Sequence, residues 1–185
     1  TMSKYEVIVR ADGAAGAGTI LDGRKQSTKD ENYTLTVATA AHVVGGADAV
    51  QLTLSDGTKL DAKVLSSDPE RDLAFLQCSW KEELEVYYSR DILDRLAPQD
   101  PVYALKGEDH DALVSGSVTD PSASVDGIGE DLILADIGGE SGMSGGGLYG
   151  KSGNYLGMIV QGTGDGTAAC IPADTVMAEM KKVLE

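Results

Sequence analysis

Residues 142–147 form a glycine-rich hexapeptide, Gly-Met-Ser-Gly-Gly-Gly, with a serine at its third position. Glycine lets the backbone fold tightly and lets another group approach it closely. The backbone N–H groups of Gly142 and Ser144 could then converge on an oxygen that becomes negative during acyl transfer. Taken alone, the pattern also fits a tight hairpin that carries an ordinary hydroxyl. The rest of the chain decides between a nucleophile and a turn.

Two residues upstream supply the partners that a nucleophilic serine needs. His42 lies in the segment Ala-Ala-His-Val-Val, where an isolated histidine would otherwise be a satisfied core residue. Asp72 follows thirty positions later and directly precedes the apolar run Leu73–Leu76. Burying a carboxylate at the start of an apolar strand is costly unless it has a partner. A buried carboxylate needs a hydrogen bond or an ion pair, and an imidazole is a suitable partner. The order His, Asp, Ser is that of chymotrypsin-like proteases and differs from that of subtilisins and α/β-hydrolases.

The chemistry of this set assigns a role to each member. Ser144 Oγ would attack a carbonyl carbon, and His42 would take its proton and pass it to the leaving amine. Asp72 would hold the imidazole tautomer and stabilise the imidazolium. Gly142, Met143 and Ser144 form the predicted oxyanion hole, with the N–H groups of Gly142 and Ser144 as donors. No cofactor and no metal site is predicted.

Composition describes a soluble globular chain of 185 residues, 42% hydrophobic and 24% charged. It contains 23 glycines but one Phe and one Trp, which favours a turn-rich, all-β protein. The net charge of −15 disfavours nucleic acid and anionic membranes as partners. We recognise no apolar stretch long enough to span a membrane and no signal peptide.

Short strand patterns fall into two groups on either side of the charged segment Lys81–Pro98, which has helical spacing. We predict an all-β fold, a double six-stranded β-barrel with a C-terminal helix over Ala173–Glu185. The predicted organisation is a first barrel over 1–88 with His42 and Asp72, a linker over 89–100, a second barrel over 101–172 with Ser144, and a helix over 173–185. The predicted strands are Lys4–Arg10, Thr19–Leu21, Tyr33–Thr39, Val50–Leu54, Lys59–Leu65, Leu73–Cys78, Pro101–Leu105, Leu113–Thr119, Leu132–Ile137, Gly146–Tyr149, Tyr155–Gln161 and Thr167–Ile171.

Four blocks of the sequence resemble the protease domain of the HtrA (Deg) family of trypsin-like serine proteases. This resemblance implies a double β-barrel with the active site in the cleft between the barrels, and an endopeptidase with polypeptide substrates. It also implies an extracytoplasmic location and a homotrimer, which is usual in the family. The blocks are Gly16–Ile20 with Thr39–Val44, Val50–Gly57 with Ala62–Val64, Asp68–Ala74, and Gly142–Leu148 with Gly157–Val160 and Ile171-Pro172.

The sequence departs from the HtrA pattern beside the predicted nucleophile. Met143 stands where the family usually has Asn and trypsins have Asp, and Gly147 replaces the usual Pro. The PDZ domain typical of HtrA proteins is not recognised in these 185 residues. The departures leave two alternatives open: a catalytically silent binding or chaperone-like module, and a dedicated processing protease with one substrate.

The resemblance also places the primary specificity pocket. Gly138 lies where trypsin-type pockets have an Asp, so no buried carboxylate would hold Arg or Lys. We therefore expect small or medium apolar residues at P1, the substrate residue before the cleaved bond. The segment Val160–Gly162 should offer a strand edge to which substrate adds. The predicted lining is Gly138, Gly139, Glu140, Ser141, Val160, Gln161, Gly162, Ala168, Ala169 and Cys170.

The remaining polar features have plain interpretations. Residues 106–141 contain nine acids and one base, which we interpret as solvated loops rather than a rim for basic substrates or Ca²⁺. Asp136 is the exception, a predicted structural partner, and His110 is predicted to be an ordinary surface histidine. Cys78 and Cys170 are interpreted as buried free thiols, with a single disulfide as the alternative.

Overall fold

Twelve antiparallel strands form two closed six-stranded barrels in the computed structural model, which describes residues 2–106, 110–140 and 142–185. The first barrel has the strand order β1-β2-β3-β6-β5-β4 and the second β10-β11-β12-β9-β8-β7. The predicted double barrel is therefore confirmed. The strands are β1 Glu6–Ala11, β2 Ala14–Arg24, β3 Tyr33–Thr39, β4 Ala49–Thr53, β5 Lys59–Asp68, β6 Leu73–Trp80, β7 Pro101–Lys106, β8 Ala112–Val125, β9 Gly129–Ala135, β10 Gly147–Tyr149, β11 Tyr155–Gly162 and β12 Ala168–Pro172.

β2 is much longer than the predicted strand Thr19–Leu21. The prediction left out its first half, which consists of glycine and alanine and gives no strand pattern. These residues are small because other chain segments come close. A Cβ at Gly18 would lie 2.8 Å from a methyl group of Val37 in β3. At its other end β2 runs through Asp22 to Arg24, whose guanidinium bonds the Asp22 carboxylate at 2.6 Å. The ion pair partners both charged side chains within the strand.

In the part of the chain that the structure describes, three helices accompany the barrels, α1 Ala41–Val44, α2 Arg90–Asp94 and α3 Ala173–Leu184, and a 3₁₀ turn, Met2–Tyr5, precedes β1. The apolar face of α3 buries Val176 and Met180. Because α3 packs against β6 of the first barrel and β11 and β12 of the second, it ties the two barrels together. None of the helices in the described part of the chain is long and apolar enough to cross a membrane.

Both cysteines are buried free thiols. Burial raises the pKa of Cys78 to about 11 and that of Cys170 to about 12. A thiol reacts as its thiolate, so both groups are expected to be unreactive in the folded protein at neutral pH.

Candidate active site

His42 sits on the single turn of α1 and is half exposed, with 50% of its side chain accessible. Its neighbours Ala41, Val43 and Val44 are buried and fix the turn against the first barrel. The sequence around His42 is apolar because the other three residues of this helical turn are buried. The histidine is therefore the residue of α1 that faces the solvent.

Asp72 lies in the turn between β5 and β6 and binds His42 at two points. Its Oδ1 accepts the backbone N–H of His42 at 2.8 Å, and its Oδ2 lies 2.5 Å from His42 Nδ1. A carboxylate oxygen accepts, so Nδ1 carries the proton and Nε2 is left as the basic nitrogen. The predicted contact between these two residues is present in the structure.

The loop that carries Ser144 packs against β2 and the start of α1, and two glycines allow this close approach. A Cβ at Gly145 would collide with the carbonyl oxygen of Ala17 and lie 2.9 Å from the amide nitrogen of Ala40. A Cβ at Gly16 would lie 2.5 Å from a methyl group of Val43 and 3.0 Å from the carbonyl oxygen of Ser144. The loop that carries Ser144 is thus packed against β2 and against Ala40, two residues before His42.

The two departures from the HtrA pattern both have partners. The Met143 side chain is 1% exposed and belongs to the core of the second barrel, with Leu148 and Ile159. The N–H of Gly147 donates to Glu6 Oε1 at 2.9 Å. A proline has no N–H and could not make this bond. Core packing and a buried carboxyl therefore hold the loop at these two positions.

Glu6 is a site residue that sequence reasoning missed. It is 3% exposed, and its Oε2 accepts a hydrogen bond from Thr19 at 2.9 Å. Burial raises the pKa of Glu6 to about 8. The only sequence signal was an acid at the head of an apolar strand, which is usually a solvated strand end.

The prediction that His110 is a surface residue is wrong. The side chain is 7% exposed, and its Nε2 lies 2.9 Å from the carbonyl oxygen of Gly142. Burial lowers the pKa of His110. The acidic segment around it gave no periodicity from which this burial could be read.

Two segments of the predicted specificity pocket, at Gly139 and at Gly162, lie in direct contact and leave little space between them. A Cβ at Gly139 would lie 2.6 Å from Gly162 Cα and 3.5 Å from Ala168 Cβ. Gly138 is held by a hydrogen bond to the carbonyl of Gly166 at 3.0 Å. Glu140 is exposed and 3.4 Å from Lys106 Nζ, while Ser141 lies outside the described residues. Val160, Ala168, Ala169 and Cys170 are buried, and Gln161 is exposed.

A cleft of about 490 Å³ opens beside His42 and Asp72. Its lining includes His42, Asp72, Pro69, Ile128 and Val160, so both barrels contribute to it. This cleft is large enough to receive part of an extended peptide that approaches His42.

The acidic residues of 106–141 are mostly at the surface where the structure describes them. Asp111, Asp126, Glu130, Asp131, Asp136 and Glu140 are exposed, and Asp120 is half-buried, while Glu108 and Asp109 lie outside the described residues. Asp136 accepts the backbone N–H of Ser117 at 2.5 Å, which agrees with its interpretation as a structural partner.

Two closed barrels, with a histidine–carboxylate pair in the first and a glycine-flanked serine at the start of the last three strands of the second, are the pattern of a chymotrypsin-like serine peptidase fold. The chain belongs to the trypsin-like peptidase domain family, whose profile matches residues 16–158. The resemblance to HtrA (Deg) proteins noted in the sequence is confirmed by relatives of the DegP type.

Named relatives are bacterial proteases. A probable periplasmic serine endoprotease, DegP-like, of Brucella suis is 31% identical over 160 residues, covering 80% of this chain and 31% of that protein. The periplasmic serine endoprotease DegP of Escherichia coli K12 is 32% identical over 117 residues, 63% of this chain and 19% of that protein. This chain thus spans about a third or less of their length. The crystal structure of the serine endoprotease from Yersinia pestis matches with a TM-score of 0.78, at 20% identity, over 98% of this chain and 63% of that chain, a likeness of fold alone.

Proposed function

We propose that this domain is a serine endopeptidase that cleaves polypeptides with His42, Asp72 and Ser144 as its catalytic triad. The observation that carries the proposal is the two-point hydrogen bonding between Asp72 and His42. It fixes both the orientation of the imidazole and its tautomer, and it leaves Nε2 as the base. A histidine that served packing alone would have no need of a carboxylate on both its backbone and its ring.

The chemistry follows from these groups. His42 Nε2 takes the proton of Ser144 Oγ as the oxygen attacks the scissile carbonyl carbon. The N–H groups of Gly142 and Ser144 stabilise the resulting oxyanion. The imidazolium then gives its proton to the leaving amine, which leaves an acyl group on Ser144. In the second half of the reaction, His42 takes a proton from a water molecule as it attacks the acyl carbon, and returns that proton to Ser144 Oγ as the acid product leaves. Asp72 stays ionised and stabilises the imidazolium.

We infer that P1 is a small apolar residue such as Ala. The contact between Gly139 and Gly162 leaves little space between the pocket walls, and Gly138 supplies no carboxylate for a basic side chain. A peptide library should show cleavage after small residues. Cleavage mainly after Arg or Glu would contradict this preference.

Labelling with a fluorophosphonate tests the enzymatic proposal, because the probe reacts only with an activated serine. The wild-type protein should be labelled, Ser144→Ala should not, and Ser152→Ala, which changes an exposed turn serine, should be labelled normally. The loss of Ser144 should lower kcat by about 10⁴-fold or more. An unlabelled wild-type protein would support the catalytically silent binding module, which the closed pocket walls also favour.

The physiological role that we propose is HtrA-like protein quality control or processing outside the cytoplasm, as for the periplasmic relatives. Digestion of casein would support broad quality control. Activity on a single folded partner, with casein untouched, would support the dedicated processing protease. A trimer of the HtrA type is part of this proposal and is tested by the mass of the protein in solution.

A further inference from the structure

The residues that follow Gly142 are each fixed by a contact. Met143 is buried, and the Ser144 carbonyl oxygen accepts the N–H of Ala17 at 2.9 Å. Gly145 donates to the carbonyl oxygen of Ile159 at 2.7 Å, and Gly146 to that of Met143 at 3.0 Å. We define residues 142–147 as the oxyanion loop. The part of this loop after Gly142 is therefore held in place by packing and hydrogen bonding.

Gly142 is held differently. Its φ is +94°, and a Cβ placed on it would meet nothing within 4 Å. A glycine with open space beside it rotates at little cost. Rotation there changes the direction of the Gly142 N–H, which must converge with the N–H of Ser144 to stabilise one oxyanion.

Both polar groups of the peptide that joins Gly142 to Met143 are hydrogen-bonded. Its carbonyl oxygen accepts a hydrogen bond from His110 Nε2 at 2.9 Å. Its N–H donates to the carbonyl oxygen of Glu140 at 3.1 Å. Among the described residues, His110 supplies the one side chain that holds this peptide group.

His110 can make this bond whatever its charge. A carbonyl oxygen only accepts, so Nε2 carries a hydrogen in the neutral ring, and a second proton would add to Nδ1. Burial of the side chain restricts its movement and lowers its pKa, which keeps the ring neutral at neutral pH. The contact is thus a fixed, uncharged donor aimed at the oxyanion loop.

We propose that His110 is a positioning residue that holds Gly142 so that the oxyanion hole is formed before substrate binds. This role rests on the proposed peptidase function. His110 does not touch the reacting atoms and acts through the Gly142–Met143 peptide group. Its effect should therefore be on the transition state rather than on substrate binding.

Steady-state kinetics of three variants on a peptide amide test the proposal. His110→Ala should lower kcat about 10- to 100-fold with KM changed less than about twofold, a smaller loss than removal of an oxyanion donor itself. His110→Gln should recover kcat to within about threefold, because the Gln amide nitrogen is as many bonds from Cβ as Nε2 and also donates. Leu113→Ala, which truncates an exposed side chain on the same segment, is the control and should behave as wild type.

Two results would overturn the proposal. One is an unchanged kcat in His110→Ala. The other is an equal loss of kcat in the Ala and Gln variants with an equal fall in Tm, which would assign His110 to packing alone.

Hydrogen exchange separates this proposal from the proposed function. If the wild-type protein proves inactive, the function fails, but the contact can still be measured. A Met143 amide that exchanges at least about tenfold faster in His110→Ala than in wild type or His110→Gln would support the positioning contact, because this N–H is hydrogen-bonded to Glu140. Equal exchange in all three proteins would refute it.

Discussion

The carboxylate of Asp72 combines two functions in one residue. It accepts from the backbone and the ring of His42, and it does so from a backbone conformation with φ of +58°. Most side chains pay about 1–2 kcal/mol in the left-handed region, but Asp and Asn adopt it more readily. A residue of this type is therefore needed both for the turn and for the imidazole.

Asp72→Asn should separate these two functions. Asn fits the turn, and its Oδ1 can still accept the His42 N–H, but its NH2 group then faces Nδ1 and can only donate, so the imidazole takes the wrong tautomer. We expect kcat to fall by about 10⁴-fold with little change in Tm, measured by peptide hydrolysis and thermal unfolding. Asp61→Asn, an exposed carboxylate in β5, should change neither. A loss of activity below tenfold would contradict this account of Asp72.

Glu6 should make the stability of the protein fall as pH rises. Its pKa is raised by burial from 4.5 to about 8, so the folded state holds a proton that the unfolded state releases between these values. The contribution of Glu6 is therefore complete below pH 4.5 and is lost progressively up to about pH 8. Glu6→Gln keeps a neutral donor and acceptor and removes this titration.

We expect Glu6→Gln to match wild type near pH 4.5 and to be more stable by at least about 1 kcal/mol at pH 8.5. Chemical unfolding at several pH values measures the difference. Glu130→Gln, which neutralises an exposed acid in β9, should show no such divergence. A difference that stays constant with pH would mean that Glu6 is not the titrating group.

At the scale of elements, the oxyanion loop depends on glycines that serve different needs. Gly145 has φ of +92°, and its Cβ would collide with the backbone of β2 at Ala17. Gly153, in the turn between β10 and β11, has φ of +79° and open space around it. The pair therefore separates the cost of backbone strain from the cost of steric overlap.

Gly153→Ala should destabilise the protein by about 1–2 kcal/mol, the cost of a left-handed alanine. Gly145→Ala should cost at least about 2 kcal/mol more and should abolish activity, because β2 and the loop must move apart. Urea unfolding and fluorophosphonate labelling measure both effects. Equal destabilisation in the two variants would show that the approach of β2 to the loop is not tight.

At the scale of the whole molecule, the candidate site lies where the two barrels meet. The first barrel supplies His42 and Asp72, the second supplies Ser144, and α3 packs across both. The net charge of −15 acts on the whole chain. Charge of one sign destabilises a compact state by self-repulsion.

Salt should therefore stabilise the protein without regard to the cation. The screening length falls from about 10 Å at 0.1 M to about 3 Å at 1 M, so repulsion among the negative charges weakens. We expect a gain of about 1 kcal/mol, or about 2–4 °C in Tm, between low salt and 0.5 M. NaCl and choline chloride should act alike in a thermal melt. A rise with sodium alone would point to a specific cation site, and no rise would show that repulsion is negligible.

The sequence by itself determined the types and order of the candidate catalytic residues and the two groups of six strands. These features depend on local chemistry: β-branched alternation, glycine spacing and a carboxylate beside an apolar run each leave a signal within a few residues. The tertiary structure decided the contacts that lie far apart in the chain. Only it brings Gly139 against Gly162, buries His110 under the Gly142 carbonyl and places Glu6 on the Gly147 amide. Burial of a polar side chain depends on what another segment places over it, and a single sequence does not carry that information.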